Sequence, residues 1–498
     1  MPILRDPAMP LVRRRSFQIV AAAAVVFVLA AAMFVYEHFY REEPAAQYAS
    51  DEDHFLFASV GTEADAGVPY WVWLVLPRVF PDLLPRTGGY AGLGVVSKPG
   101  YEMPIGLSKV TIGYPRVGVN CALCHAGSVR VTPESVPTIV PAAPSHQMAA
   151  QQYLRFLTDA AADPRFTADA ILAEISKNTR LSLTERLLYR LSIIPATRRA
   201  LLRLREESSW MHARTEWGRG RVDLFNPIKL RTLGQPPDET IGNADMLSLW
   251  NLNARRQSSG GYYWDGMNAD LREVVYASAI AGGASMAWLD RDFRQWDNTE
   301  PGERSSLRRV MNYIGDLRPP RYPLPMDPTL AAAGADVFRT ECASCHAPGQ
   351  ARFGQVVPIS EIGTDRHRLD AWTNAAADAF NGHGEGRDWA LAGFRKTEGY
   401  VAASLDDLWL RGPYLHNGAV PSVADLLEPV DRRPAQFWRG YDVLDPVKVG
   451  FIAQGAEAEA EGTRYDTSRP GNSNAGHTYG TQLAPELKRA LLEYLKTL

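Results

Sequence analysis

Four cysteines are all that the 498-residue chain contains, and they fall into two copies of one pentapeptide: Cys121-Ala-Leu-Cys124-His125 and Cys342-Ala-Ser-Cys345-His346. Cys-x-x-Cys-His is the attachment signature of c-type haem. The two thiols form thioethers to the haem vinyl groups, and the histidine that follows reaches the iron as proximal axial ligand. The chain is therefore expected to wrap two covalent haems, held by Cys121, Cys124 and His125 and by Cys342, Cys345 and His346. In each case the histidine is the iron ligand.

Other uses of a Cys-x-x-Cys pair fit less well. A thioredoxin-like dithiol needs a βαβ context, and none surrounds either motif. A zinc ribbon sets its two pairs roughly 15–20 residues apart, whereas Cys124 and Cys342 are separated by most of the chain. No cysteine remains for a disulfide.

The N-terminus reads as a membrane anchor. Arg13, Arg14 and Arg15 precede Phe17–Tyr36, an apolar run broken only by Gln18. A run of about 20 apolar residues crosses one bilayer. The arginines predict a cytoplasmic segment 1–16, a transmembrane segment 17–36, and everything beyond about residue 40 outside. A cleaved signal peptide is the alternative. Both place the haem motifs in the bacterial periplasm or its equivalent, with the anchor in the inner membrane. The net charge of −3 calls for no nucleic-acid partner. Thirty-five Pro and 40 Gly fit loops that wrap a cofactor.

The second motif has a helical frame. Asp327-Pro328 opens a stretch with Gly334 and Phe338 one turn apart, ending at Cys342, and 485–498 carries the apolar stripe Leu487, Leu491, Leu492, Tyr494, Leu495. Class I cytochromes c cross their first and last helices in this way, so Gly334, Phe338 and Tyr494 are expected at the crossing. No such helix is evident before the first motif, and 68–109 reads as loops and short elements.

An internal repeat relates the halves. Ser248-Leu-Trp250 and Trp264-Asp-Gly266 in the first match Asp407-Leu-Trp409 and His416-Asn-Gly418 in the second. Leu271, Glu273 and Val274 follow Gly266 at the offsets by which Val423, Asp425 and Leu426 follow Gly418. The first half is longer by about the length of 145–215, which reads as helices over 151–161, 167–176 and 183–205. Ser182 and Glu185 form a capping box before the last of these. Helix 183–205 carries six arginines and reads as a solvated basic face, with an anionic membrane surface as the alternative. The expected architecture is mainly α: two class I cytochrome c-like haem domains, 50–318 and 325–498, the first holding helical insertion 145–215.

The sixth iron position decides what each haem can do. No methionine follows His346. Among His367, His383, His416 and His477, the favoured ligand is His477, in a glycine-rich loop able to approach a haem face closely. His416 is the runner-up, as ligand or as support for a ligand. For the first haem, His54, His146 and His212 lie in unremarkable contexts. Trp264 takes the place of His416, and indole does not ligate iron, so this haem is expected to be open. Trp250 and Trp264 are then candidate wall or electron-relay residues, or plain core.

These residues resemble the di-haem cytochrome c peroxidase and MauG superfamily, and within it the rubber-oxygenase-like branch. The resemblance rests on Met103-Pro-Ile-Gly106, Pro115–Cys121, Tyr414-Leu-His-Asn-Gly-Ala-Val-Pro421 and Asn472-Ser-Asn-Ala-Gly-His477. It implies a bis-His haem held by His346 and His477 and an O₂-binding haem held by His125. The superfamily often holds calcium between its domains, although no acidic loop here singles out a site. The chain differs from rubber oxygenases in being shorter and membrane-anchored, which favours a smaller or lipid-like substrate over an extracellular polymer.

Two functions follow as expectations. One is a haem-dependent oxidoreductase, peroxidase- or oxygenase-like, using O₂ or peroxide at the open haem. The other is a pure electron-transfer cytochrome with both haems six-coordinate. Either needs a periplasmic electron donor or acceptor.

Overall fold

The computed structural model describes residues 11–236, 238–256, 260–300 and 304–498; residues 1–10 of the expected cytoplasmic segment lie outside them. The chain opens on an apolar helix, Leu11–Val35, extended by one wide turn, Tyr36–Tyr40. Over Phe17–Tyr40 none of it is buried. Its length and composition are those of a membrane anchor or a signal sequence.

The second haem motif sits in the expected crossing. Helix Pro328–Glu341 starts where Asp327 accepts from the backbone N–H groups of Thr329 and Leu330, and it packs on helix Pro485–Leu495. A Cβ on Gly334 would lie 1.9 Å from the Ala490 carbonyl oxygen, so only glycine permits this approach. Phe338 and Tyr494 close the crossing with ring centres 5.1 Å apart.

The first half contains a crossing that its sequence hides. Helix Asp51–Phe57, capped by Ser50, packs on helix Ser306–Asp316. Phe55 and Tyr313 meet at 5.5 Å, in the manner of Phe338 and Tyr494. The leading helix is barely two turns long and is parted from Cys121 by residues 58–120, so no pattern joins it to the motif.

Segment 68–109 also departs from expectation. It holds helix Tyr70–Val79, with Pro77 inside, and a strand, Leu107–Ile112, of a three-stranded antiparallel sheet. Pro77 has no N–H to offer the Trp73 carbonyl. The Tyr90 hydroxyl donates to that carbonyl instead, at 2.7 Å, so the helix survives its proline.

Helices occupy Ala150–Ala162, Ala168–Ile175 and Leu183–Leu188, the last running through a wide turn, Tyr189–Ile193, into Ile194–Glu207. The Ser182–Glu185 capping box is formed in both directions. These helices and Tyr70–Val79 bury Trp73, Leu76, Phe156, Ile171 and Ile193 in a core of their own. A larger core runs through both helix crossings. Eleven short strands in five small sheets accompany the helices among the described residues, so the fold is mixed rather than mainly α. Long loops around two motifs leave many backbone groups to satisfy, and short ladders do so.

Candidate functional site

Both pentapeptides form the same turn. The N–H of His125 donates to Cys121 at 3.1 Å, and that of His346 to Cys342 at 3.0 Å. Asn120 braces the first turn, accepting from the Ala122 N–H and donating to the carbonyls of Leu56 and Ala58. Gly106 of the Met-Pro-Ile-Gly stretch lies over it, and a Cβ there would fall 2.2 Å from the Leu123 Cα. Burial pushes the thiols of Cys121 and Cys124 up, to about 11 and about 12. A reactive dithiol needs the opposite shift.

Each motif histidine is aimed by one carbonyl. His125 Nδ1 donates to Leu247 O at 2.7 Å and His346 Nδ1 to Ala403 O at 2.8 Å. A carbonyl only accepts, so Nδ1 carries the hydrogen and Nε2 keeps its lone pair for a metal. The two carbonyls belong to matching segments, Leu247-Ser-Leu249 and Ala403-Ser-Leu405, each continuing from a short strand, Ala244–Asp245 or Gly399–Val401.

The match goes further. Tyr262 bridges Asn268 as Tyr414 bridges Val420. Tyr263 and Leu415 have φ of 67° and 69°, and Gly266 and Gly418 both have 65°. The hydroxyl of Tyr262 reaches Leu252 O, and that of Tyr414 reaches Leu408 O. Asn251 and Asp407, both left-handed, correspond as well. This register corrects the expected one: Trp250 falls opposite Asp406, not Trp409. A Leu-Trp dipeptide is too short to set register where the loops that follow differ in length.

His477 faces His346. Their ring centres lie 6.2 Å apart, with planes at 43°. Two metal–nitrogen bonds of about 2.0–2.1 Å, with roughly 1.1 Å from each nitrogen to its ring centre, span about 6.2–6.4 Å. The pair therefore fits one iron between two imidazoles. The loop carrying His477 is tightly held. Arg433 donates to the carbonyls of Asn474, Gly476 and His477, Asn417 to those of Gly471 and Ser473, and Arg221 to the Asn472 side chain. A Cβ on Gly476 would lie 2.3 Å from the Gly363 carbonyl carbon.

The other histidines are engaged elsewhere. His416 stacks on Tyr400 at 3.9 Å, fully buried, and burial holds its ring well below the usual imidazole range. Its chain neighbour Asn417, by contrast, holds the His477 loop. His367 pairs with Asp365, and His383 lies against Phe380. His54 bonds to Ser306 inside the first helix crossing, His146 stacks on Phe451, and His212 lines a polar groove.

Around His125 lies an apolar cavity. One wall is a face of helix Leu271–Gly282, presenting Leu271, Val274, Val275, Ser278 and Ala281. Tyr263, Trp264, Leu249, Leu252, Val310 and Ile314 also line it, with Asp245, Ser248 and Arg368 among its polar groups. Among the described residues lining it, His125 is the sole histidine, and Met246, the chain neighbour of Leu247, is the sole methionine. Trp264 also borders the smaller cavity between the motifs, and its indole donates to Asp245 O at 2.8 Å. Trp250 is instead buried beside the second motif, in a pocket with Pro348 and Arg411.

Sequence reasoning missed Arg368 and Arg433. Arg368 comes from the second half, yet it lines the His125 cavity, buried, with its Nε unpartnered and its nearest carboxylate, Asp265, 3.6 Å away. Neither residue stands in a recognisable motif. Among the described residues, no cluster of three or more His, Cys, Asp or Glu is placed to hold a metal ion.

Comparison with known proteins bears on the second half. Residues 399–439, from strand Gly399–Val401 through His416 and Asn417, match a family described as RoxA-like, cytochrome c-like. Two curated proteins of Sinorhizobium fredii (strain NBRC 101917 / NGR234), both named as uncharacterized, are similar. Protein y4iM is 31% identical over 309 residues, covering 53% of this chain and 66% of that protein. Protein y4iJ is 29% identical over 255 residues, covering 38% and 42%. The matched stretches thus span under two thirds of either relative. The chain carries a RoxA-like cytochrome c-like domain, and such a domain implies covalently bound haem c.

Proposed function

We propose that the chain is a membrane-anchored, periplasmic di-haem c-type cytochrome built by duplication of a haem domain, and that it is an oxidoreductase. In this reading Cys121, Cys124 and His125 hold one haem, and Cys342, Cys345, His346 and His477 hold the other. The domains are 50–318, with insertion 145–215, and 325–498. The matched turns, φ values and tyrosine hydrogen bonds of the two halves support duplication.

The observation that carries the function is an asymmetry: His346 has a second imidazole opposite it, whereas no second histidine stands among the described residues that line the largely apolar His125 cavity. When bound, a haem with one protein ligand supplies an iron able to take O₂ or peroxide, and a bis-His haem supplies electron transfer. The chain's own part is then clear. His125 is aimed by Leu247, the face of helix Leu271–Gly282 would shield the cofactor from water, and Arg368 would place a guanidinium in the cavity that holds it. Trp264, between the two cavities, is the relay candidate. The apolar lining favours a small apolar or lipid-like substrate.

The test is a carbon monoxide difference spectrum of the dithionite-reduced, haem-loaded full chain. Binding of one CO per two haems supports the reading. No binding leaves an electron carrier with both irons six-coordinate.

A further inference from the structure

Beyond the anchor, three strongly exposed leucines form a stripe. Leu183, Leu187 and Leu191 are 89%, 56% and 68% exposed. They stand one turn apart on helix Leu183–Leu188 and its continuation Tyr189–Ile193. The comparably bare Val136 and Val447 stand alone in loops. The opposite face of this helix is not free, because Tyr189, Ile193 and Ile194 are buried in the second core. The helix is thus apolar on two sides, one packed and one bare. A bare stripe of this kind marks an interaction surface. Arg186 and Arg190 are exposed beside it, and Arg190 also pairs with Asp169.

Its position says what covers it. The chain leaving the apolar N-terminal helix is fastened to the hairpin tip 112–114. Gly113 N donates to Arg41 O at 2.7 Å, and Glu43 N to Thr111 O at 3.0 Å. Gly113 has φ +71°, and a Cβ there would lie 2.3 Å from the Phe39 nitrogen, so the contact is close backbone against backbone. Phe39 meets Tyr114 at 6.3 Å, and Tyr114 meets Tyr189 at 6.5 Å. One aromatic chain therefore runs from the end of the apolar helix to the middle of the helix bearing the stripe. Tyr36 and Tyr40, exposed at that end, have the amphipathic character of residues at a bilayer interface.

We propose that helix Leu183–Leu188 with turn Tyr189–Ile193 lies in the interface of the bilayer that the N-terminal helix enters. Leu183, Leu187 and Leu191 reach the acyl boundary, and Arg186 and Arg190 meet anionic phosphates. This rests on the anchor reading of Phe17–Tyr40. The anchor and the surface helix hold the haem domains at a set orientation to the membrane, instead of leaving them to swing on a tether.

The experiment uses the haem-loaded full chain in nanodiscs containing phosphatidylcholine with phosphatidylglycerol. The native cysteines are consumed as thioethers, so a single added cysteine takes a nitroxide label. Leu183→Cys, Leu187→Cys and Leu191→Cys are compared with Asp336→Cys, an exposed control in the second half, and Val26→Cys, within the anchor. The expected result is that labels at 183, 187 and 191 collide more with O₂ and less with a polar nickel complex than the label at 336. Collision behaviour like that of 336 overturns the proposal. So does protection from both reagents, with spin–spin broadening between copies, because the stripe would then be covered by a second chain. The label at 26 reports the anchor separately: water there sinks the anchor reading, whatever the helix labels show.

Discussion

The backbone N–H of Val401 donates to the carbonyl of Trp264 at 2.8 Å, and that of Asp245 donates to the carbonyl of His416 at the same distance. These bonds are reciprocal. Each joins the strand leading to one motif's aiming carbonyl with the turn that closes the other half. Trp264 is thus one hydrogen bond and two residues from Ala403, which aims His346, and it also lines the cavity of His125. The two sites share one backbone framework.

His477→Ala removes the imidazole facing His346. The reduced protein is expected to bind about twice as much CO as the parent, two per chain instead of one, because a vacated axial position accepts an exogenous ligand. CO titration decides this. An unchanged stoichiometry would assign the sixth ligand elsewhere.

Gly334→Val forces a side chain into the Ala490 carbonyl. Overpacking of this kind costs about 1–3 kcal/mol, and more where backbone blocks relaxation. For a cooperative unfolding of a chain this long, the melting midpoint should fall by about 1 °C for each kcal/mol. Thermal unfolding of the haem-loaded protein measures the fall. An unaltered midpoint would mean that the two helices do not cross as closely as described.

His54 is buried in the first helix crossing and faces the Arg309 guanidinium. Burial, then that charge, depress it from the usual imidazole range to about 4. The unfolded chain binds the proton at about 6.5, so between pH 6.5 and 4 it holds more protons than the folded chain. Stability from this residue is present above pH 6.5 and lost as pH falls toward 4, by about 3 kcal/mol at about 1.4 per pKa unit. His54→Gln should flatten that part of the profile. Denaturation midpoints across the range, parent against variant, give the answer, and parallel curves would count against it.

Arg368→Gln removes a buried cation from the cavity of His125. A positive charge near an iron favours its reduced form, so the potential of that haem should drop, by about 60 mV for each 1.4 kcal/mol of lost interaction. On the proposed di-haem reading, a spectroelectrochemical titration resolves the two haems. The potential of the bis-His haem should move far less.

The pentapeptides were legible because their chemistry is local: two thiols and an imidazole within five residues, read without knowing the fold. The Gly334–Phe338–Tyr494 crossing was legible for a related reason, since each helix carries its own period and the glycine marks the close approach. The crossing of Asp51–Phe57 with Ser306–Asp316 was not, because a two-turn helix has too little periodicity and a long stretch parts it from its motif. Repeat register was misplaced at Trp250 because it depends on backbone conformation, on the left-handed Asn251 and Asp407, and not on the dipeptide beside them.

By itself, then, the sequence determined that two haem-attachment motifs are present, each with its own histidine, and that an apolar segment comes before them. The sequence favoured His477 over His416, but only tertiary structure showed its ring facing His346, a largely apolar cavity around His125, and Arg368 crossing from the other half to line it. Covalent attachment is a property of neighbouring residues. A distal ligand, an empty face or a buried cation is a property of what the fold brings within a few ångströms from far along the chain.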